Sequence, residues 1–263
     1  MGDPIKEEKD NHGEYLQVHG CTDKGQLRPH NEDYYGFYLP ADSNIKDRLG
    51  SLFAISDGVG SHLAGEAASA EAVNTVLQEY YFGSYTDKLP GRLRDAFNHT
   101  AVHIFDLAKA NRAFSNMQCT LSALLIRQGK FHIAHVGDSK VFLLRSGRFV
   151  QLTKDHSLVG RLVRLGFVTP EAARSHPNKH VLLRSLGEQP IMPADMYAGN
   201  ALPGDLFYLI TDGILEHMTE EELKLFLLEH GHETDALNKL IEQLNERGGY
   251  DNMTILTIKI GEK

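Results

Sequence analysis

Ser51-Leu-Phe-Ala-Ile-Ser-Asp-Gly-Val-Gly-Ser-His62 is the stretch on which the reading of this chain turns. Leu52 to Ile55 is short and apolar, which predicts a buried strand, and Asp57-Gly58 is a turn signal at which that strand should stop. A strand fixes the direction of a carboxylate at its end, and a glycine next to it lets the backbone carbonyl approach a bound ion as well. A plainer reading stands beside this one: Asp57 as the polar residue of a strand-to-helix turn. A helix should follow from about Ala64.

The pattern recurs further along. Leu206 to Ile210 is an apolar strand ending in Thr211-Asp212-Gly213, and Asp251 sits in the turn Gly248-Gly-Tyr-Asp-Asn252 just before an alternating strand, Met253 to Ile260. If these three carboxylates converge, they repel one another unless a cation lies between them. An all-oxygen set suits Mg²⁺ or Mn²⁺ rather than Zn²⁺. No histidine pair has the H-E-x-x-H spacing of a zinc helix.

The rest of the chain sets these strands in a layered fold. Tyr15 to Gly20 and Tyr34 to Leu39 read as strands, joined by a polar loop, and Asp42 to Arg48 reads as a polar connection. Two amphipathic helices follow. One spans Ala64 to Tyr81, with Ala72, Val73, Val76, Leu77 and Tyr80 on one face. The other spans Arg92 to Ala110, with Leu93, Phe97, Ala101, Ile104 and Ala108. Thr120 to Arg127, Phe131 to Val136, Val141 to Arg145 and Arg148 to Leu152 are strands joined by glycine-containing turns, the mark of antiparallel hairpins. Lys154 to Leu186 is loosely patterned, with short helices expected at Leu158 to Leu165 and from Thr169. Residues 157–184 are expected to form a flap, and carry Arg161, Arg164, Arg174, Lys179 and Arg184. Helices at Thr219 to Glu229 and Asp235 to Asn245 precede the last strand. Helices and strands are segregated rather than alternating, so the fold class is α+β. One domain is expected over 15–263, behind a loose tail, 1–14.

Composition narrows the function. The chain has 263 residues, 41% hydrophobic and 24% charged, with a formal net charge of -8. That acidity disfavours nonspecific binding to nucleic acid. Cys21 and Cys119 have no metal-site spacing and read as reduced core residues, with a single disulfide left open. No apolar run approaches the roughly 18 residues of a membrane span, and the N-terminus lacks the apolar region of a secretory signal. A cytoplasmic protein is expected.

Ordered pieces along nearly the whole chain carry a family resemblance. Arg28-Pro-His-Asn-Glu-Asp33 resembles R-x-x-N-E-D of the metal-dependent Ser/Thr protein phosphatases of type 2C, in their compact bacterial form. Asp57-Gly-Val-Gly-Ser-His-Leu-Ala-Gly-Glu66 resembles D-G-x-G-G-h-x-x-G-E, and Cys119-Thr120 resembles the G-T-T before a strand. Gly137-Asp-Ser-Lys140 resembles G-D-S-R, and Leu152-Thr-Lys-Asp-His-Ser157 resembles L-T-x-D-H-S. Thr211-Asp-Gly213 and Asp251-Asn-Met-Thr254 resemble the family's second S-D-G and its closing D-N-x-T.

The resemblance implies a sandwich of two antiparallel sheets with a helix pair on each outer face. It implies hydrolysis of phosphoserine and phosphothreonine on proteins, opposing a Ser/Thr kinase, by a monomer. It also implies roles. Asp57 would bridge two tight Mn²⁺ or Mg²⁺ ions, with the Gly58 carbonyl on one, and Asp212 and Asp251 would hold the other. Asp138 would join Asp212 at a weak third site. Arg28 would bind the phosphate, and Asp33, helped by Glu32, would orient water at the metals. Paired ions of this kind activate water and neutralise phosphoryl oxygens. Three departures stand out. Ser61 replaces a glycine, Lys140 replaces an arginine with little effect expected, and Val59 replaces a histidine proposed as general acid in some relatives. His62 is nearby in sequence and could substitute for that histidine, although it reads more readily as a polar surface residue.

Overall fold

The computed structural model describes residues 6–9, 15–60, 63–85, 88–110, 114, 116–231 and 235–261. Ser61 and His62, and the expectations attached to them, lie outside the described residues. In chain order the elements are β1 (Lys6–Lys9), β2 (Tyr15–Asp23), β3 (Asp33–Tyr38), α1 (Ser43–Leu49), β4 (Ser51–Val59), α2 (Leu63–Phe82) and α3 (Gly91–Ala110). Then come β5 (Gln118–Cys119), β6 (Leu121–Arg127), β7 (Lys130–Val136), β8 (Lys140–Arg145), β9 (Arg148–Gln151), α4 (Leu158–Arg164) and α5 (Pro170–Arg174). The chain continues through β10 (Asp195–Asn200), β11 (Leu206–Ile210), α6 (Asp212–His217), α7 (Glu220–His230), α8 (Ala236–Glu246) and β12 (Met253–Ile260).

These strands form two antiparallel sheets. One runs β1-β2-β12-β11-β8-β9, and the other β10-β7-β6-β4-β3, with β5 paired to β4. Side-chain alternation sorts each strand between two cores, because successive residues point to opposite faces. Phe53 and Ile55 of β4 meet Phe207 and Leu209 of β11 between the sheets. Leu52 and Ala54 turn outward onto α2 and α3, where Val73, Val76, Phe97 and Ile104 are buried. Tyr208 and Ile210 turn the other way onto Ile214, Leu223, Leu240 and Leu244 of α6, α7 and α8. The expected sandwich with helices on both outer faces is the observed fold.

Arg92 closes the joint between α2 and α3. Its buried guanidinium donates to the carbonyls of Tyr80 (2.6 Å), Tyr81 (3.2 Å), Gly83 (3.1 Å) and Tyr85 (3.1 Å). Those carbonyls include the ones α2 leaves unpaired at its C-terminus.

The structure corrects several local expectations. β4 does not stop at Asp57-Gly58 but runs to Val59, because Gly58 and Val59 pair with Cys119 and Gln118 of β5. Asp42 to Arg48 is not a plain connection. Asp42 caps α1, its Oδ1 accepting from the N–H groups of Asn44 (2.8 Å) and Ile45 (3.1 Å). β10 pairs with β7 along a stretch in which no strand was expected. Lys6–Lys9, inside the expected loose tail, pairs with the edge of β2, where unsatisfied backbone groups offer a partner. Both cysteines are free and buried, so the open disulfide is not formed. Among the described residues, no helix is long and apolar enough to cross a membrane.

Candidate active site

The site lies at one end of the sandwich, and each carboxylate reaches it from a different element. Asp33 opens β3 directly opposite Asp57 of β4. The Asp57 N–H donates to Thr120 Oγ1 (2.9 Å), and the Thr120 N–H donates to the Asp57 carbonyl (2.8 Å). Both backbone groups of Asp57 are thereby fixed, and its side chain projects from a rigid strand. Thr120 Oγ1 also bonds Ser139 Oγ (2.7 Å), beside Asp138 in the turn between β7 and β8. Asp212 starts α6, and Asp251 ends the turn before β12.

Two glycines permit the close approaches. A Cβ on Gly58 would lie 2.1 Å from the Gly65 carbonyl oxygen and 2.7 Å from that of Glu32. A Cβ on Gly213 would lie 1.9 Å from the Asn252 carbonyl oxygen, so only glycine lets the Asp212 and Asp251 turns touch.

The electrostatics are those of crowded anions. Burial, and then the charges of Asp33, Asp212, Asp138 and Asp251, hold Asp57 well above the usual carboxylate range. Burial pushes Asp33 up to about 7, with Asp212 and Asp251 adding to it and hydrogen bonds from Thr211 and Thr254 opposing. Burial and the neighbouring Asp212 raise Asp138 to about 8, against Lys140. Asp212 rises to about 6 through burial, Asp251 and Glu216. The expected carboxylates, Asp33, Asp57, Asp138, Asp212 and Asp251, thus sense one another across a common centre.

Arg28 is turned toward that centre. Its guanidinium grips Asp251 with a fork, Nε to Oδ1 at 2.9 Å and Nη2 to Oδ2 at 2.9 Å. Burial works against its charge, and Asp251 outweighs it, leaving Arg28 above its ordinary value. Glu32 lies to the side, its carboxyl carbon 2.8 Å from where a Gly65 Cβ would be, against the first turn of α2.

Several residues that hold the site had no assigned role from sequence. Thr211 Oγ1 donates to Asp33 Oδ2 (2.7 Å) and accepts from the Thr254 N–H (3.0 Å). Asn252 accepts from the Glu32 N–H (2.8 Å) and donates to the carbonyls of Lys24 and His30, both 2.9 Å, pinning the loop that carries Arg28. The available signal was their place beside the carboxylates inside the motifs. Lys140, the departure from arginine, forms an ion pair with Asp155.

Residues 157–184 cross beside this centre. The basic side chains expected there are largely engaged with the body. Arg164 Nη1 donates to the Asp155 carbonyl (2.8 Å), Arg174 Nη1 to the Met218 carbonyl (2.9 Å), and Arg184 Nη1 to Asp195 Oδ1 (2.7 Å), while Lys179 pairs with Glu216. His156 accepts from the Gly137 N–H (3.1 Å) and meets Asp195 (3.2 Å), joining the Asp138 turn to the base of the segment. Beneath lies a cavity of about 610 Å³ whose lining includes Asp138, Lys140, Arg164, Lys179, Asp212 and Glu216.

The family model for protein phosphatase 2C matches residues 30–253. This chain belongs to the protein phosphatase 2C family. The phosphatase is 31% identical over 241 residues to the serine/threonine phosphatase stp of Listeria monocytogenes, covering 90% of this chain and 93% of that one. Its fold is similar to that of the S. agalactiae serine/threonine phosphatase, with a TM-score of 0.81, 28% identity, and 94% and 100% of the two chains covered. The PstP catalytic domain in complex with 2 manganese ions is similar with a TM-score of 0.79 and 28% identity, over 94% of this chain and 99% of that one.

Proposed function

We propose that the phosphatase hydrolyses phosphoserine and phosphothreonine esters on proteins, opposing a Ser/Thr kinase, as a cytoplasmic monomer that acts with Mn²⁺ or Mg²⁺. The observation that carries this reading is the convergence of Asp33, Asp57, Asp138, Asp212 and Asp251, most of them pushed above the ordinary carboxylate range. Anions so arranged fit hard cations with oxygen ligands. Asp57, the Gly58 carbonyl, Asp212 and Asp251 would hold two ions tightly, and Asp138 with Asp212 a weaker third. When bound, such ions activate water for attack and neutralise the phosphoryl oxygens. The likeness to a phosphatase domain complexed with 2 manganese ions supports the reading.

The chain's own residues do the positioning. Asp33, oriented by Thr211, accepts a hydrogen bond from the attacking water and fixes its direction. Arg28 offers a planar fork that matches a phosphate as well as it matches Asp251, and turns to the substrate when cations take that carboxylate. Asn252 sets the loop from which Arg28 reaches, and Glu32 supports its base. No covalent phosphoenzyme is required, because the water displaces the alcohol directly.

The test is hydrolysis of matched phosphothreonine and phosphotyrosine peptides with Mn²⁺ and with chelator. Turnover on phosphothreonine should require the metal and exceed that on phosphotyrosine. Asp57→Asn should lose activity most completely. Full turnover in excess chelator refutes the metal reading, and a preference for phosphotyrosine refutes the substrate class.

A further inference from the structure

We propose that Leu27 and Tyr250 form an apolar shelf beside the Arg28–Asp251 fork, and that this shelf binds an apolar side chain of the phosphoprotein substrate two residues from the phosphorylated one. The inference rests on the proposed function, which places the substrate phosphate at Arg28.

The sequence sets an apolar residue directly before each arm of the fork, Leu27 before Arg28 and Tyr250 before Asp251. Both are open to solvent, Leu27 at 68% and Tyr250 at 56%. The backbone holds them close together. The N–H groups of Gln26 and Leu27 donate to the Gly249 carbonyl at 2.8 and 3.2 Å. A Cβ on Gly25 would lie 2.4 Å from the Asp251 carbonyl oxygen, so the two loops touch. Single exposed apolar side chains are ordinary on a protein surface. Two on touching loops, one before each member of a phosphate-matching ion pair, stand where a phosphopeptide has to run.

Tyr250 is firmly mounted. Its ring stacks on the imidazole of His217, with centroids 5.0 Å apart and planes inclined by 17°. His217 is buried and held at both ring nitrogens. Its Nδ1 donates to the Gly213 carbonyl (2.7 Å), and its Nε2 accepts from the Tyr250 N–H (2.7 Å). A carbonyl only accepts and an amide N–H only donates, so a single tautomer satisfies both. Gly248 leaves room for the ring, since a Cβ there would sit 2.2 Å from it. A fixed aromatic ring gives up little conformational freedom when it binds, which is the advantage of tyrosine in recognition surfaces.

The spacing selects the substrate position. His217 lies five residues beyond Asp212 on α6, about 7.5 Å along the axis at 1.5 Å per residue. An extended peptide advances about 3.4 Å per residue, and residues two apart point to the same face. A phosphoresidue directed into the site therefore also directs the side chains two places away onto the protein, about 7 Å from it. An apolar side chain at that point covers surface of Leu27 and Tyr250 that water otherwise wets.

The experiment measures kcat and KM of the full-length chain with Mn²⁺ on phosphothreonine peptides that differ only in carrying Leu or Ser two places before, or two places after, the phosphoresidue. At one of these positions the wild type should prefer Leu by about five- to tenfold in kcat/KM, chiefly through KM, as burying part of a leucine side chain implies. Leu27→Ser and Tyr250→Ser should each reduce that ratio, and the double variant should bring it to about one. Tyr250→Phe should keep it, because the ring and not the hydroxyl forms the shelf. Each ratio is taken within one variant, so a general loss of folding or metal cancels. If changes at Tyr250 leave too little folded protein, Leu27→Ser alone carries the comparison. A wild type without preference at either position overturns the inference, as does a wild-type ratio in Leu27→Ser or a lost ratio in Tyr250→Phe. Those results leave phosphothreonine turnover standing and sink the shelf alone. Absence of wild-type turnover on every phosphothreonine peptide with Mn²⁺ refutes the proposed function and the shelf together.

Discussion

Asp138→Asn should stabilise the metal-free phosphatase at alkaline pH while impairing it as an enzyme. The folded protein holds Asp138 at about 8, from an ordinary 3.8, chiefly by burial and then by Asp212. A group raised on folding stabilises fully where both states are protonated, below about 4, and loses that contribution as pH climbs toward 8. Each pH unit of that window corresponds to about 1.4 kcal/mol, so the upper bound is about 6 kcal/mol. Relaxation of the surroundings and water reaching the site lower the real penalty well below that bound, which leaves roughly 2–3 kcal/mol for removing one charge. Asparagine keeps the shape and cannot ionise. In chelator at pH 8 the variant should melt about 5–10 °C above wild type, at about 2–4 °C per kcal/mol for a chain of this length. At pH 4 the two should melt together. Saturating Mn²⁺ should erase the difference by stabilising wild type more. Parallel stability curves from pH 4 to 8 in chelator would refute the assignment of Asp138 to the anionic centre.

Other consequences follow from the same contacts. Arg28→Ala should lower kcat/KM by about 1.5–3 kcal/mol, roughly 10- to 150-fold and mainly through KM. Its affinity for Mn²⁺ should hold or rise, since the cation competing for Asp251 is gone; metal titration beside steady-state kinetics checks both. Trimming the 157–184 segment should alter selectivity among phosphopeptides while sparing hydrolysis of p-nitrophenyl phosphate, and equal losses on both would count against a substrate-reading role. Arg92→Leu should destabilise the fold by about 3 kcal/mol, measured by urea unfolding, because buried carbonyls at the end of α2 lose their donors. Its KM should be unchanged in the fraction that folds.

Much of the architecture was legible in the sequence because it is written in local periodicity. The stripes Val73, Val76, Tyr80 and Leu93, Phe97, Ile104 sit where a helical face must bury apolar area, and all are in the core. The strand-Asp-Gly pattern at Asp57 and Asp212 located the centre, since a backbone that must approach closely leaves glycine as its trace. Segments defined by distant partners were less visible. β4 continues past Asp57-Gly58 only because β5 lies alongside, and β10 exists because β7 presents an edge. Neither pairing leaves a periodic signal in its own short segment.

Residue types and order along the chain determined the anionic character of the site, its family and its layered fold. The tertiary structure alone decided that Arg28 grips Asp251, that Thr211 holds Asp33, and that His180 comes within reach of Asp212 and Glu216. These contacts join residues far apart in sequence. They depend on β12 lying between β2 and β11, and on the path of the chain between α5 and β10. A motif records what a residue can do, whereas which partner it meets is set by the packing of sheets and helices that other residues drive.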